Sequence, residues 1–292
     1  MKINKDNRKL FHSQNFLKSS EFVRSLIGKT TISSEDLVVE IGPGKGVITL
    51  ELAKRAGRVV GIEYDQNLAT SLKLKFANNP EVEIIKADFL EWDLPKVPYK
   101  VFANIPFDLT AEIINKLLFA SNPPTACYLI MQDKAAERFI GAPLFTNSQI
   151  SILLQPFYEM SILVKINRRE FEPIPKINAV LAGFIKKNKP IVNMQSWQLY
   201  LDFVIYGYNR WEPTILVTLR EVFTKKQLDL VSRNFGLAGL KPSELTVNQW
   251  VGMFETFIKF VSNEKQDIVR GAEKRLRFAQ RGMQKQYRTR RR

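Results

Sequence analysis

Two short segments of the chain carry residue types that can do chemistry. The first is Gly42-Pro43-Gly44-Lys45-Gly46, which follows the apolar run Leu37–Ile41 and precedes a helical stretch. The second is Asn104-Ile105-Pro106-Phe107, which follows another apolar run. A glycine-rich turn between a strand and a helix lets the backbone approach a ligand closely. The second segment offers a carboxamide oxygen and a backbone carbonyl as acceptors that a proline holds in place, beside a phenylalanine π face.

Two fixed acceptors next to a π face suit the exocyclic amine of adenine. The lone pair of that amine is delocalised into the ring, so methyl transfer to it needs acceptors that draw both N–H bonds. We therefore interpret Asn104, Ile105, Pro106 and Phe107 as catalytic residues. Phe107 is also expected to stack on an extruded base, a contact worth about 1–3 kcal/mol. A simple turn with a buried phenylalanine is the structural alternative.

The glycines favour a nucleoside cofactor without phosphates. Their spacing is GxGxG, not the GxGxxG that binds a pyrophosphate. Glu63, twenty-one residues after Gly42, ends the next strand, where an acid accepts ribose hydroxyls and repels a phosphate. Asp88 follows the third strand and can accept from an adenine amino group, while the N–H of Phe89 can donate to the ring. S-adenosylmethionine, which is cationic at sulfur, fits these residues and the carboxylate of Glu40. A plain tight turn and a capping aspartate are the structural alternatives.

The elements around these segments predict an α/β fold. From residue 37 to about 132, short β-branched runs alternate with amphipathic helical stretches, the pattern of a parallel sheet covered on both faces. The predicted helices follow Gly46, Gln66, Thr110 and Asp133, and two prolines in FEPIPK (171–176) predict an extended loop. The predicted strands are Leu37–Ile41, Arg58–Ile62, Val82–Lys86, Lys100–Ala103, Ala126–Met131, Tyr158–Lys165 and Ala179–Ile185.

The 292 residues divide into three predicted parts. Residues 1–188 form the cofactor-binding catalytic domain, and residues 189–264 form a small helical domain that binds RNA. Its helices are expected near 196–209, 213–222, 224–235 and 246–261. Residues 265–292 form a basic tail that is disordered when free. From Arg270 onward ten lysines and arginines oppose one glutamate, so this stretch holds +9 of the net charge of +15 and predicts a polyanionic partner.

Composition excludes several classes of function. One histidine, His12, and one cysteine cannot build a Cys/His zinc site or a disulfide framework, so we expect no metal. No apolar run approaches the roughly 18 residues of a membrane helix, and the N-terminus has no apolar signal core. We therefore expect no membrane partner and a cytoplasmic location. We also expect a monomer.

Four motifs, in this order, resemble the ribosomal RNA adenine N6-methyltransferases: HSQNFL (12–17), EIGPGKG (40–46), NIPF (104–107) and FEPIPKIN (171–178). The resemblance spans residues 11 to about 262. It implies a class I, Rossmann-like methyltransferase domain, a small all-helical C-terminal domain, S-adenosylmethionine as donor and ribosomal RNA as substrate. The cofactor contacts that it implies are His12, Gln14, Asn15, Leu17, Glu40, Gly42, Gly44, Gly46, Glu63, Tyr64, Asp88, Phe89 and Asn104.

Two branches of this family compete. HSQNFL, NIPF and Asn178 look more like the erythromycin-resistance branch, which methylates one adenine in 23S rRNA and blocks macrolide, lincosamide and streptogramin B antibiotics. The housekeeping branch, which dimethylates two adjacent adenines near the 3′ end of 16S rRNA, is the alternative, and Gln132–Arg138 is close to its pattern. We favour 23S over 16S rRNA.

Two alternative functions from other classes have less support in the sequence. A non-catalytic nucleic-acid-binding factor on a methyltransferase scaffold would not need the intact glycine turn, Glu63, Asp88 and NIPF. DNA adenine methylation is disfavoured because the second domain is small and the HSQNFL and FEPIPK signatures look ribosomal.

Further residues are predicted to contact RNA. The target adenine must be flipped out or single-stranded. Phe171 is expected to form the second face of a base sandwich, with Arg168 and Arg169 on nearby phosphates; packing of Phe171 into the core is the alternative. Three residues are expected to mark the RNA-facing side of the helical domain, although a solvated helix face accounts for them equally well: Arg210, Lys225 and Lys226.

Deleting residues 270–292 is expected to flatten the salt dependence of RNA binding. Ten positive charges, at a slope near −0.7 per neutralised phosphate, change the slope of log K against log salt by at most about 7. Filter binding over a salt series measures this slope. An unchanged slope would show that the tail is a solubility extension that does not contact RNA.

Overall fold

The computed structural model describes residues 15–210 and 212–289. His12 and Gln14 therefore lie outside the described residues. The chain divides into two compact units: one runs to Ala136 and includes Glu159–Lys186, and the other comprises Glu137–Tyr158 and the chain from Lys187 onward. Residues 137–158, which the sequence assigned to the catalytic domain, thus group with the helical unit. There the hydroxyl of Tyr200 donates to the carbonyl of Ile152 at 3.0 Å.

The predicted strands are confirmed, each to within one residue at either end. Most are rich in β-branched residues and largely buried, as expected of strands covered on both faces. The described strands are Phe16–Leu17 (β1), Leu37–Ile41 (β2), Arg58–Glu63 (β3), Val82–Lys86 (β4), Lys100–Asn104 (β5), Ala126–Gln132 (β6), Tyr158–Ile166 (β7), Phe171–Glu172 (β8) and Ala179–Lys186 (β9).

Seven strands form one sheet in the order β4-β3-β2-β5-β6-β9-β7. The neighbours from β4 to β6 pair in parallel, whereas β9 is antiparallel to β6. The chain runs outward from β2 through β3 to β4 and then returns to place β5 on the other side of β2, so the strand order reverses at the β2–β5 pair. Open α/β sheets bind ligands at the carboxyl ends of the strands that flank such a reversal. The predicted α/β, Rossmann-like fold is confirmed.

Helices of the first unit flank this sheet in the chain order. They are Ser20–Ile27 (α1), Val47–Leu52 (α2), Gln66–Lys75 (α3), Thr110–Leu118 (α4) and the start of Asp133–Ile140 (α5). The sequence analysis missed α1, which the side chain of Ser19 caps. Its Arg24 bonds at 2.9 Å to the buried Glu51 of α2, and this bond holds the pKa of Glu51 down at about 2.

The second unit is helical, as predicted. Its helices are Gln149–Leu154 (α6), Trp197–Tyr208 (α7), Ile215–Thr218 (α8), Lys225–Phe235 (α9), Val247–Phe260 (α10), Asn263–Val269 (α11) and Ala272–Thr289 (α12). Thr224 with Gln227 and Thr246 with Gln249 form capping boxes that start α9 and α10. The helix predicted at 213–222 is wrong in length: only residues 215–218 are helical, because Thr214 caps the turn and Leu219 ends it.

The segment predicted to be a disordered tail is largely helical over the described residues. The chain forms α11 and α12 there, and the start of α12 is fixed by Asp202, the one charged residue of α7 and a buried one. Its two oxygens accept from the backbone N–H of Gly271 at 2.8 Å and of Glu273 at 2.9 Å. These are donors that a helix N-terminus leaves without an intrahelical partner. One side chain distant in sequence therefore anchors the basic segment.

None of the helices within the described residues is long and apolar enough to cross a membrane.

Replacing Asp202 by alanine is expected to destabilise the helical unit by about 2–4 kcal/mol. The substitution leaves two partly buried backbone N–H groups without their acceptors, and an unsatisfied buried donor costs about 1–3 kcal/mol. Urea unfolding followed by far-UV circular dichroism measures the loss. Asp229→Ala, on the exposed face of α9, serves as the matched control and should change stability by no more than about 0.5 kcal/mol. Equal stabilities of the two variants would contradict the anchoring role.

Candidate active site

The glycine turn lies at the carboxyl end of β2, next to the end of β5. Gly42, Gly44 and Gly46 have φ angles of 64°, 57° and 75°, in the left-handed region that favours glycine. A Cβ added to Gly44 would stand 2.5 Å from the ring of Phe16. The turn thus needs glycine both for its backbone conformation and for the close approach of β1.

Glu63, at the end of β3, is held against this turn. One carboxylate oxygen accepts from the N–H of Gly44 at 2.9 Å, and the other accepts from the N–H of Asp65 at 2.9 Å. The side chain is buried. Each oxygen keeps a further lone pair, so a fixed acidic group stands at the strand tip where the sequence predicts the ribose contact.

Glu40 is wholly buried beneath the turn. The hydroxyl of Thr49 donates to one carboxyl oxygen at 2.6 Å, and the other oxygen has no hydrogen-bond partner within the described part of the chain. Burial, reinforced by the nearby charge of Glu63, raises the pKa of Glu40 to about 8. A raised pKa favours the protonated, neutral form of Glu40 at pH 7, so the contact of its carboxylate with a cationic cofactor stays a prediction.

Asn104 is oriented by the N-terminal strand. Its side-chain nitrogen Nδ2 donates to the backbone carbonyl of Asn15 at 2.6 Å. Strand β1, which follows Asn15, pairs antiparallel with β8, with Phe16 opposite Glu172 and Leu17 opposite Phe171. With the NH₂ side of the carboxamide engaged in this way, the oxygen Oδ1 remains as the acceptor.

The catalytic tetrapeptide and the glycine turn line one cavity. Ile105 continues from β5 with its N–H donating to the carbonyl of Ile130 at 3.2 Å, and the half-buried Phe107 packs against the core. The cavity has a volume of about 50 Å³ and is lined by Asn15, Phe16, Gly42, Gly44, Asn104, Ile105, Pro106 and Phe107. The sequence prediction named all of these residues except Phe16.

Phe16 and Leu17 also border a smaller space beside the turn. This space of about 20 Å³ adjoins Pro43, Lys45 and Val47. Ligand pockets usually enclose about 300–1,000 Å³. Both spaces are smaller than this range, and Phe16 lines both of them. Phe16 was missed because its neighbours in HSQNFL carry the polar groups, and an apolar residue in a short strand gives no signal of its own.

The other predicted cofactor residues lie at the carboxyl ends of β3 and β4 but do not line this cavity. Asp88 is exposed, and its Oδ1 accepts from the N–H of Leu90 at 2.8 Å, which is the turn role foreseen as the alternative. Phe89 is buried. Tyr64 is half exposed, with the ammonium group of Lys86 5.4 Å from its ring centroid.

The predicted base contact of Phe171 is wrong. Its side chain is wholly buried in the core that also contains Leu17, Val23 and Phe102, because pairing of β8 with β1 places it there. Its motif instead supports the strand that orients Asn104. Arg168 and Arg169 are exposed, and Arg168 donates to the carbonyl of Lys176 at 3.2 Å.

The predicted RNA-contacting residues of the helical unit are also exposed or partly exposed. Lys225 and Lys226 lie exposed at the start of α9, just after its cap Thr224. Arg210 follows α7 and forms an ion pair at 2.6 Å with Glu221.

The profile of the family described as ribosomal RNA adenine dimethylase matches residues 4–259. The chain belongs to this family. An rRNA adenine N-6-methyltransferase of Bacillus licheniformis is 26% identical over 90% of this chain and 92% of its own length. The ribosomal RNA small subunit methyltransferase A of Mycoplasma capricolum is 29% identical over 87% of this chain and 98% of its own length. The crystal structure of the 23S rRNA methyltransferase ErmE matches with a TM-score of 0.76 at 25% identity, over 84% of this chain and 100% of that chain.

As a member of the rRNA adenine dimethylase family, the chain is an rRNA adenine N6-methyltransferase that uses S-adenosylmethionine. The described residues fit this cofactor. A turn with three glycines of positive φ, a buried acid fixed by two backbone N–H groups and an oriented carboxamide lie at the strand reversal of the sheet.

Glu40→Gln is expected to flatten the pH dependence of stability. The pKa of Glu40 is about 8 in the folded chain and near 4.3 when unfolded, so between these values only the folded state holds the proton. The free energy of unfolding then falls as pH rises from 5 to 8, by up to about 1.4 kcal/mol per pH unit. Glutamine cannot titrate and removes this slope.

Urea unfolding at several pH values measures the effect, with the exposed Glu91→Gln as the matched control. Since Glu40 is neutral at pH 7, the affinity of Glu40→Gln for S-adenosylmethionine should stay within about twofold of the parent there. Identical pH slopes for Glu40→Gln and the parent would contradict the neutral buried carboxyl.

Proposed function

We propose that the chain methylates N6 of one adenine in 23S rRNA and thereby confers resistance to macrolide, lincosamide and streptogramin B antibiotics. The observation that best supports methyl transfer to an adenine amine is the hydrogen bond from Asn104 Nδ2 to the Asn15 carbonyl. This bond leaves Oδ1 as an acceptor beside the glycine turn. An acceptor is what an adenine amine requires.

The proposed chemistry needs no general base during methyl transfer. Asn104 Oδ1 and the carbonyl of Ile105 accept the two N–H bonds of the target amine and draw electron density toward its nitrogen. The cofactor supplies an electrophilic methyl group on a sulfonium. As the N–C bond forms and the C–S bond breaks, one N–H proton becomes acidic and passes to water. Pro106 fixes the backbone, so the two acceptors need no reorganisation.

The cofactor is proposed to lie along the carboxyl ends of β2, β3 and β4. Gly42 and Gly44 would approach it through their backbones, Glu63 would accept its ribose hydroxyls, and Asp88 with the N–H of Phe89 would bind its adenine. His12 and Gln14, outside the described residues, are proposed to cover it. Phe107, half-buried at the cavity, is proposed to stack on the target base.

The choice of 23S rRNA rests on motif details and on one structural relative. HSQNFL, NIPF and Asn178 are more typical of the erythromycin-resistance branch, and the match with the 23S rRNA methyltransferase ErmE covers 84% of this chain at a TM-score of 0.76. A 16S rRNA dimethyltransferase is the second candidate. The small-subunit methyltransferase of Mycoplasma capricolum is 29% identical, and Gln132–Arg138 resembles that branch. A ribosomal substrate also favours a cytoplasmic location, and the monomeric state stays a prediction.

Asn104→Ala is expected to lower the methyl-transfer rate by roughly two to four orders of magnitude. RNA affinity should change little, because the lost acceptor acts mainly in the transition state. Transfer of tritiated methyl groups to rRNA under saturating RNA measures the rate, and Asn67→Ala, an exposed asparagine on α3, is the matched control. Turnover of Asn104→Ala near that of the control would contradict the assigned role.

Expressing the chain in cells that lack both branch activities tests the choice of RNA. We expect one modified adenine in 23S rRNA, detected by reverse transcription and mass spectrometry of fragments, together with a raised inhibitory concentration of a macrolide. Asn104→Ala serves as the inactive control. A pair of modified adjacent adenines near the 3′ end of 16S rRNA, without resistance, would overturn the 23S proposal in favour of the housekeeping role.

A further inference from the structure

A second, larger cleft lies wholly within the helical unit. Its volume is about 310 Å³, which reaches the range of ligand pockets. One wall comes from the end of α7 and the residues after it, and the other from α11 and the start of α12. Its lining includes three polar groups beside an apolar wall: Tyr206, Arg210 and Arg275, with Ile205, Ile268 and Leu276.

Arg210 and Tyr206 form a stacked pair in this cleft. The guanidinium carbon of Arg210 lies 4.9 Å from the ring centroid of Tyr206. Glu221 accepts from Arg210 at 2.6 Å and from the hydroxyl of Tyr206 at 3.4 Å, so it holds both side chains. Proteins commonly stack unpaired RNA bases on aromatic rings and on arginine planes. An arginine plane braced by a ring is therefore a platform for a base.

Arg275 supplies positive charge to the opposite wall. Its guanidinium donates to the carbonyl of Arg270 at 2.7 Å and of Ile268 at 2.9 Å, at the end of α11. No carboxylate within residues 15–210 and 212–280 forms an ion pair with it. Arg210 and Arg275 line the same cleft as Tyr206. The cleft therefore keeps an uncompensated positive charge.

The chain that leaves the cleft is also basic. Lys274 is exposed in the first turn of α12, and residues 270–292 carry a net charge of +9. Charge of this sign and density complements a polyphosphate backbone. An apolar wall, a stacked arginine and free positive charge together match one unpaired nucleotide, with its base inside and its phosphates toward α12.

We propose that this cleft binds one unpaired nucleotide of the rRNA substrate, away from the adenine that is methylated. The base stacks on the Arg210–Tyr206 pair against Ile205 and Leu276, and a flanking phosphate contacts Arg275 and Lys274. The proposal rests on the proposed function in that the occupant is the RNA substrate. It gives the helical unit a specific contact with one nucleotide of the RNA, in place of a general electrostatic attraction to the RNA backbone.

Two substitutions with opposite expected effects test the cleft. Arg210→Gln removes the platform and a charge, so the Kd for protein-free 23S rRNA transcript should rise about 3- to 10-fold, and the log-salt slope should fall by about 0.7. Glu221→Gln removes a negative charge from the cleft while its amide oxygen can still accept from Arg210 and Tyr206, and it should lower the Kd. Arg233→Gln and Glu255→Gln, at exposed positions of α9 and α10 in the same unit, are matched controls with the same charge changes.

Fluorescence anisotropy over a salt series gives the Kd, and methyl transfer at saturating RNA gives kcat. We expect S-adenosylmethionine affinity to be unchanged in all four variants, because the cleft and the catalytic residues belong to different units, and kcat to be unchanged in the two controls. Equal shifts in Kd for Arg210→Gln and Arg233→Gln would overturn the proposal, since they would show charge attraction without a site. So would an Arg210→Gln variant with unchanged helix content that binds RNA like the parent.

Photo-crosslinking separates failure of this proposal from failure of the proposed function. A benzoylphenylalanine at Leu276 should crosslink to one position of the transcript, and excess unlabelled transcript should abolish that product. If rRNA is methylated normally but the crosslink is absent or scattered, the cleft proposal is wrong and the proposed function stands. If no rRNA is methylated by the parent chain, the proposed function itself fails.

Discussion

The hydrogen bond between the Asn104 carboxamide and the Asn15 carbonyl is the interaction on which the candidate active site depends. A carboxamide turned by 180° would present a donor to the target amine in place of an acceptor. A bond of this kind contributes about 0.5–1.5 kcal/mol net, which alone favours one orientation by up to about tenfold. The turned state would also set Oδ1 against a carbonyl oxygen at a separation near 2.6 Å, and this repulsion strengthens the preference.

That bond exists only because a short strand is held in place from several sides. Strand β1 pairs with β8 through two residues on each strand, and Leu17 and Phe171 share one core. Phe16 rests on Gly44, and α1, which follows β1, is tied to α2 through Arg24 and Glu51. The FEPIPKIN motif therefore acts on the site through backbone pairing, although it lies far from Asn104 in the sequence.

Much of this architecture could be predicted from the sequence, and the reason is local. Strands β2 to β6 are apolar runs whose period and length specify them, and parallel strands bring their carboxyl ends together. The meeting of Gly42 and Asn104 follows from these two facts. The role of Phe171 could not be predicted, since an aromatic residue in a loop is buried or exposed according to a partner strand more than 150 residues away. The raised pKa of Glu40 could not be predicted either, because it depends on complete burial, which the sequence of β2 alone does not specify.

Helix α12 could not be predicted from the sequence either. Its basic composition suggests a solvated tail, and its anchor is a single acid in α7, a helix distant in sequence. Asp202 sets a minimum length for the chain. A protein that ends before Gly271 would keep a negative charge inside the helical unit with neither of its two backbone donors, and burying an unpaired charge is among the costliest changes a fold can suffer. Shortening from the C-terminus as far as Lys274 leaves both donors in place, so it removes most of the basic residues without the loss of the anchor that a deletion from residue 270 causes. Trimmed versions, and fusions joined at this end, therefore have a boundary at Glu273: a chain that ends before it lacks one or both of the backbone donors of Asp202, whereas a chain that ends after it keeps both.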